Sequence, residues 1–97
     1  MLARITQVEP IGGFALGLTF TDGIVRELDL EPLLTEGVLL GLRDPDVFRA
    51  VQVDQVAGTV VWPNGVDLDP DVLHGDHAPA RGPAPKVLAQ YRLRPTA

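Results

Sequence analysis

Two histidines bracket a glycine and an aspartate in His74-Gly75-Asp76-His77, the densest group of metal-capable side chains in the 97-residue chain. Two imidazoles and a carboxylate could grip zinc, but the chain has no cysteine and no third histidine to complete a ligand set. No metal and no other cofactor is expected. Upstream, Asp67-Leu68-Asp69-Pro70-Asp71 alternates carboxylates as an EF-hand calcium loop begins. The obligatory glycine of such a loop would fall at Val72 and its bidentate glutamate at Ala78, so the run reads instead as a strand end followed by an Asp-Pro helix cap. Nucleophilic catalysis has little to work with: serine and cysteine are absent, and what remains is six threonines, Lys86 and Tyr91. Asp67 and Asp69 lack the apolar enclosure or opposing acid that acid–base work needs, and they read as solvated surface. Gly12-Gly13 and the glycines around Gly41 lack the strand, turn and helix order of a phosphate-binding loop. Trp62 precedes Pro63-Asn64-Gly65, where a tryptophan is either a lid on the core or an aromatic platform for a partner. The protein is expected not to be an enzyme.

Charge separates along the chain. All 13 acidic residues lie in residues 1–77 with Arg4, Arg26, Arg43 and Arg49, giving −9. Residues 78–97 carry Arg81, Lys86, Arg92 and Arg94 with no acid, giving +4. An acidic body repels phosphates at long range, so nucleic acid is not expected there, and the basic segment could contact at most four phosphates. No apolar run approaches the roughly 20 residues of a membrane-spanning helix, and the start of the chain lacks the pattern of a secretory signal. A cytoplasmic location with no membrane contact is expected.

The chain is long enough for one core and too short for two. Residues 2 to 8 read as a strand ended by Glu9-Pro10. Phe14, Leu16, Leu18 and Phe20 alternate with small or polar residues, and Ile24, Leu28 and Leu30 repeat the pattern. A two-residue turn at Asp22-Gly23 would set Leu18 against Glu27. A three-residue turn, Thr21-Asp22-Gly23, pairs Phe20 with Ile24, Leu16 with Leu28 and Phe14 with Leu30, leaving the stem of Arg26 beside Leu18. Gly23 then occupies the left-handed position of a bulged hairpin. Short helices are expected after Glu31-Pro32, from Pro45 to about Ala50 behind Asp44, and from Pro70 to Leu73 behind Asp69. Val51 to Val53 and Thr59 to Trp62 read as strands. From Gly75 the composition shifts to Ala, Pro, Gly and Arg, with Val87, Leu88 and Tyr91 at helical spacing. The division expected is a single α+β domain over residues 1–77, with a small antiparallel sheet of four to five strands and short helices. Residues 78–97 form a Pro/Ala/Arg-rich basic tail.

Several of these blocks together resemble a bacterial family named domain of unknown function 2442 (DUF2442). They are Asp22-Gly23, Leu28-Asp29-Leu30, Gly37, Leu42-Arg43-Asp44-Pro45, Phe48, the Val51 to Asp54 strand, Gly58 to Gly65, and Asp67-Leu68 with Pro70-Asp71. The resemblance covers about residues 2 to 74, and where the family usually has an aromatic after the last leucine this chain has His74. It implies a small α+β domain with an antiparallel sheet and no established enzyme activity. It also implies stand-alone proteins, or domains joined to helix-turn-helix modules, many paired with a second small protein as in toxin–antitoxin systems. No helix-turn-helix fits residues 78–97.

The expected function is therefore non-enzymatic binding of a small basic protein, in an antitoxin-like role, through Trp62, Asn64, Asp67, Asp69, Arg92 and Arg94. The alternatives are a regulatory domain that binds a small ligand or nucleic acid, and a hydrolase or lyase built on two close carboxylates in a cleft.

Overall fold

The computed structural model describes residues 3–79 and 82–93, so Arg81 and Arg94 lie outside the described residues. Its centre is the hairpin of β2 (Ala15–Phe20) and β3 (Ile24–Asp29). Leu16 faces Leu28 and Leu18 faces Arg26, and the amide of Leu30 donates to the Phe14 carbonyl at 2.8 Å. This is the register that the apolar alternation requires, because a slip of one residue would move the leucines off the core. Asp22 Oδ1 accepts from the Ile24 amide at 3.0 Å, and Gly23 has φ of +85°. No heavy atom crowds a side chain there, the nearest being 3.9 Å away, so Gly23→Val is expected to cost about 1–2 kcal/mol from backbone strain alone. A urea titration of the variant checks this.

The first strand, β1 (Ile5–Gly12), pairs antiparallel with β2 and runs past Glu9-Pro10, where it was expected to stop. It is an edge strand, so Pro10 can sit in it without removing a ladder bond that a second neighbour would need. Beyond the hairpin, a 3-10 turn over Glu31–Leu33 carries its proline at the start. A second 3-10 segment, Gly37–Arg43, has no counterpart in the sequence reading. Two short helices follow the Asp-Pro signals: α1 (Pro45–Arg49), capped by Asp44 accepting from the Asp46 amide at 2.9 Å, and α2 (Pro70–His74), capped in the same way by Asp69. The strands β4 (Gln52–Asp54) and β5 (Thr59–Val61) pair as a separate two-stranded sheet. The fold is a small α+β arrangement.

Residues 86 to 92 differ most from the sequence reading. Val87, Leu88 and Tyr91, spaced for a helical turn in a tail, lie instead in β6 (Lys86–Arg92), which pairs antiparallel with β3 and completes a sheet of order β1-β2-β3-β6. The open side of β3 accounts for the difference: its backbone groups need partners, and β6 supplies them.

One face of this sheet buries the core. Leu16, Leu18, Phe20 and Leu28 join Leu30, Leu34, Leu42, Phe48, Val60, Trp62 and Leu73 in a single apolar cluster. Arg26 shares that face and is almost fully buried. Its Nη1 donates to the Leu73 carbonyl at 2.6 Å and its Nε to Gln90 Oε1 at 2.9 Å, so one side chain ties β3 to α2 and β6.

Candidate functional site

The other face of the sheet is open. Alternation sends Gly17 and Thr19 of β2 and Val25 and Glu27 of β3 to this side, away from the leucines. Strand register then sets them in rows. Glu9, Gly17, Glu27 and Ala89 are successive partners across β1, β2, β3 and β6; Gln7, Thr19, Val25 and Tyr91 form the row beside it. The first row alternates a carboxylate with a small residue, so it is a trough. The second stands higher, with Val25 buried and Tyr91 half-exposed. With Ile11, Leu93 and the Val51-Gln52-Val53 segment, all of these except Ala89 bound a groove of about 700 Å³.

The floor of the groove has a defined electrostatic character. Among the described residues that line it, the charged ones are Glu9 and Glu27, and none is a cation. Gly17 holds the trough open without being required by the backbone. A Cβ there would meet the Glu9 carbonyl oxygen and Ile11 Cγ2 at 3.7 Å, an ordinary contact, so a side chain fits the fold but would fill the trough. Two strand spacings separate Glu9 from Glu27, roughly 10 Å between backbones. Among the described residues no third metal-capable side chain joins them, so the pair makes no metal-binding group. It suits two cationic groups carried on one partner, with Ile11, Tyr91 and Leu93 offering apolar contact at the rim.

Of the six residues singled out from sequence, the five that are described do not converge on a site. Trp62 is 2% exposed, its indole donates to the Phe48 carbonyl at 3.0 Å, and it is a lid on the core with no face to offer a partner. Asn64 is exposed and folds its own turn, with Oδ1 accepting from the Val66 amide at 3.1 Å. Asp67 is exposed beside a backbone bridge to Val61. Asp69 is occupied as the cap of α2. Asp71 Oδ1 accepts from the Ala3 amide at 2.8 Å, so this acidic run serves the fold. Arg92 donates from Nη1 to the Asp22 carbonyl at 2.7 Å, and Arg94 lies outside the described residues. The residues that form the trough were passed over. Gly17 and Glu27 could have been found, since the correct hairpin register already pairs them, but Ala89 and Tyr91 could not be placed without β6.

His74 clips the hairpin tip to the end of α2. Its Nε2 lies 2.7 Å from Asp22 Oδ2, and its ring stands edge-on to Phe20 with centroids 4.7 Å apart. Nδ1 is 3.1 Å from an Asp76 oxygen but out of line for a hydrogen bond. The pKa of Asp22 is lowered, first by the hydrogen bond from the Ile24 amide and then, against a desolvation penalty, by His74. A carboxylate with a depressed folded pKa stabilises above its unfolded pKa, and that contribution is lost as pH falls through the folded value. The stability difference between wild type and Asp22→Asn should therefore shrink as pH falls below about 4. Urea midpoints across that range check it.

No helix among the described residues is long and apolar enough to cross a membrane. A family model described as "Protein of unknown function (DUF2442)" matches residues 5–76 of the chain. No curated protein and no solved structure matches.

Proposed function

We propose that this chain, which belongs to the DUF2442 family, is a non-enzymatic cytoplasmic module that binds a small basic protein on the open face of its four-stranded sheet. The supporting observation is the Glu9-Gly17-Glu27-Ala89 row, an acidic trough beside exposed apolar side chains. A basic partner segment lying there would set cations against Glu9 and Glu27 and apolar groups against Ile11, Tyr91 and Leu93. The same carboxylates repel phosphate, which places nucleic acid second. In an antitoxin-like version of this reading the partner is a small toxic protein whose basic surface the face masks.

Calorimetric titration with an oligolysine peptide tests the reading. Affinity should fall as salt rises, because charge attraction is screened beyond about 8 Å at physiological ionic strength. Glu9→Gln combined with Glu27→Gln should weaken binding by about tenfold, as loss of two exposed charge contacts implies. Gly17→Thr should fold and bind equally poorly, because it fills the trough. Binding that ignores all three substitutions, or tight salt-resistant binding to duplex DNA instead, contradicts the proposal.

A further inference from the structure

The two edges of the sheet are treated differently. β1 is blunted: Pro10 interrupts its donors, its register shifts at both ends, and its start is covered by the turn between β4 and β5. There the Ile5 amide donates to the Gly58 carbonyl at 2.8 Å and Arg4 Nη2 to the carbonyls of Gln55 and Val56. These are the devices by which proteins stop strands from pairing at an edge. β6 lacks the proline and the cover along its outer side, and its interruptions are one bulged residue, Leu88, where the register shifts, and the charges of Lys86 and Arg92 at its ends. It is seven residues long, and no strand among the described residues lies beyond it. Val87, Leu88, Tyr91 and the adjoining Leu93 are each about half-exposed.

We infer that the outer edge of β6 receives an extended strand from the basic partner, lengthening the sheet to five strands; the inference rests on the open-face reading and specifies how the partner docks. The Leu93 amide donates inward to the Gly23 carbonyl at 2.7 Å. Strand alternation then directs the backbone groups of Tyr91 and Ala89 inward as well, and those of Arg92 and Gln90 outward, where no described residue pairs with them and an added strand can. Ala89 ends the acidic trough. The residue opposite Ala89 on an added strand therefore extends the same row, one strand beyond Ala89 and two beyond Glu27, roughly 10 Å from it between backbones. A lysine or arginine there can reach over the alanine methyl to the Glu27 carboxylate, which a larger side chain at this position would obstruct. A second copy of this chain fits less well. The two-fold pairing centred on Ala89 sets Lys86 against Arg92, two like charges, and puts another alanine opposite Ala89, with no cation for Glu27.

Residue-resolved amide exchange of the full chain, with and without a short synthetic peptide alternating lysine with threonine, tests the inference. The Gln90 and Arg92 amides should exchange fast in the free protein and slow by about tenfold or more when the peptide is bound, while the Leu93 amide, already donated to Gly23, stays as it was. A peptide with glutamate in place of lysine should give no protection. Ala89→Leu should weaken lysine-peptide binding while leaving β6 paired to β3. Binding that depends on Glu27 but leaves Gln90 and Arg92 exchanging freely would overturn edge pairing and leave the open-face reading standing. Protection of both amides in the free protein together with sedimentation as a dimer would assign the edge to a second copy and overturn the inference. Absence of any binding by the lysine peptide would overturn both readings.

Discussion

Phe48→Ala is expected to cost about 3–5 kcal/mol, a third or more of the stability that a domain of this size usually has. Phe48 is fully buried although it sits on a helix of only five residues. Its ring meets Phe14 edge-on at 5.4 Å and lies 6.0 Å from Trp62, while its carbonyl accepts the Trp62 indole proton. Removing the ring leaves a cavity bounded by the hairpin start, the lid tryptophan and the apolar cluster, and a helix so short has no independent stability with which to close it. Urea unfolding followed by tryptophan fluorescence should show a large fall in midpoint at nearly constant slope. An unchanged midpoint would mean that Phe48 and Trp62 do not pack as described.

Arg26→Met is expected to destabilise by about 2–3 kcal/mol and to loosen β6 before the rest of the sheet. Methionine keeps much of the apolar stem but removes the donors to the Leu73 carbonyl and to Gln90, leaving a buried carbonyl without its partner. One effect opposes this loss: burial already disfavours the charged guanidinium, as the lowering of its pKa by desolvation indicates. The two hydrogen bonds should outweigh that penalty. Amide exchange in β6 accelerating ahead of β2 would bear this out, and a variant more stable than wild type would show that desolvation dominates.

Features fixed by neighbouring residues were legible in the sequence. The hairpin register followed from placing one apolar face over three turn residues, and the two Asp-Pro caps followed from an acceptor and a fixed φ in adjacent positions. Size and a place before a tight turn allow Trp62 to be a lid or a platform, and its burial decides for the lid. β6 was not legible, because a strand at a sheet edge with both faces largely exposed has no apolar alternation to mark it, and its partner β3 lies about sixty residues earlier. The open face was hidden for the same reason. Its defining row joins Glu9 to Ala89 across four strands, so it exists only once the order β1-β2-β3-β6 is known, whereas the Trp62 to Asp69 block is conspicuous in the sequence alone. Continuation of β1 through Pro10 was missed because a proline normally ends a strand unless the strand lies at an edge.

The claim that the open face is the binding surface is tested most directly by mapping amide chemical shifts of the labelled full chain during titration with an oligolysine peptide. The shifts should concentrate at Glu9, Gly17, Thr19, Glu27, Ala89 and Tyr91, residues that are distant in sequence and adjacent on one face. Shifts confined to Asn64, Asp67 and Asp69, with Gly17 and Glu27 unmoved, would contradict the account and return the binding site to the turn after Trp62.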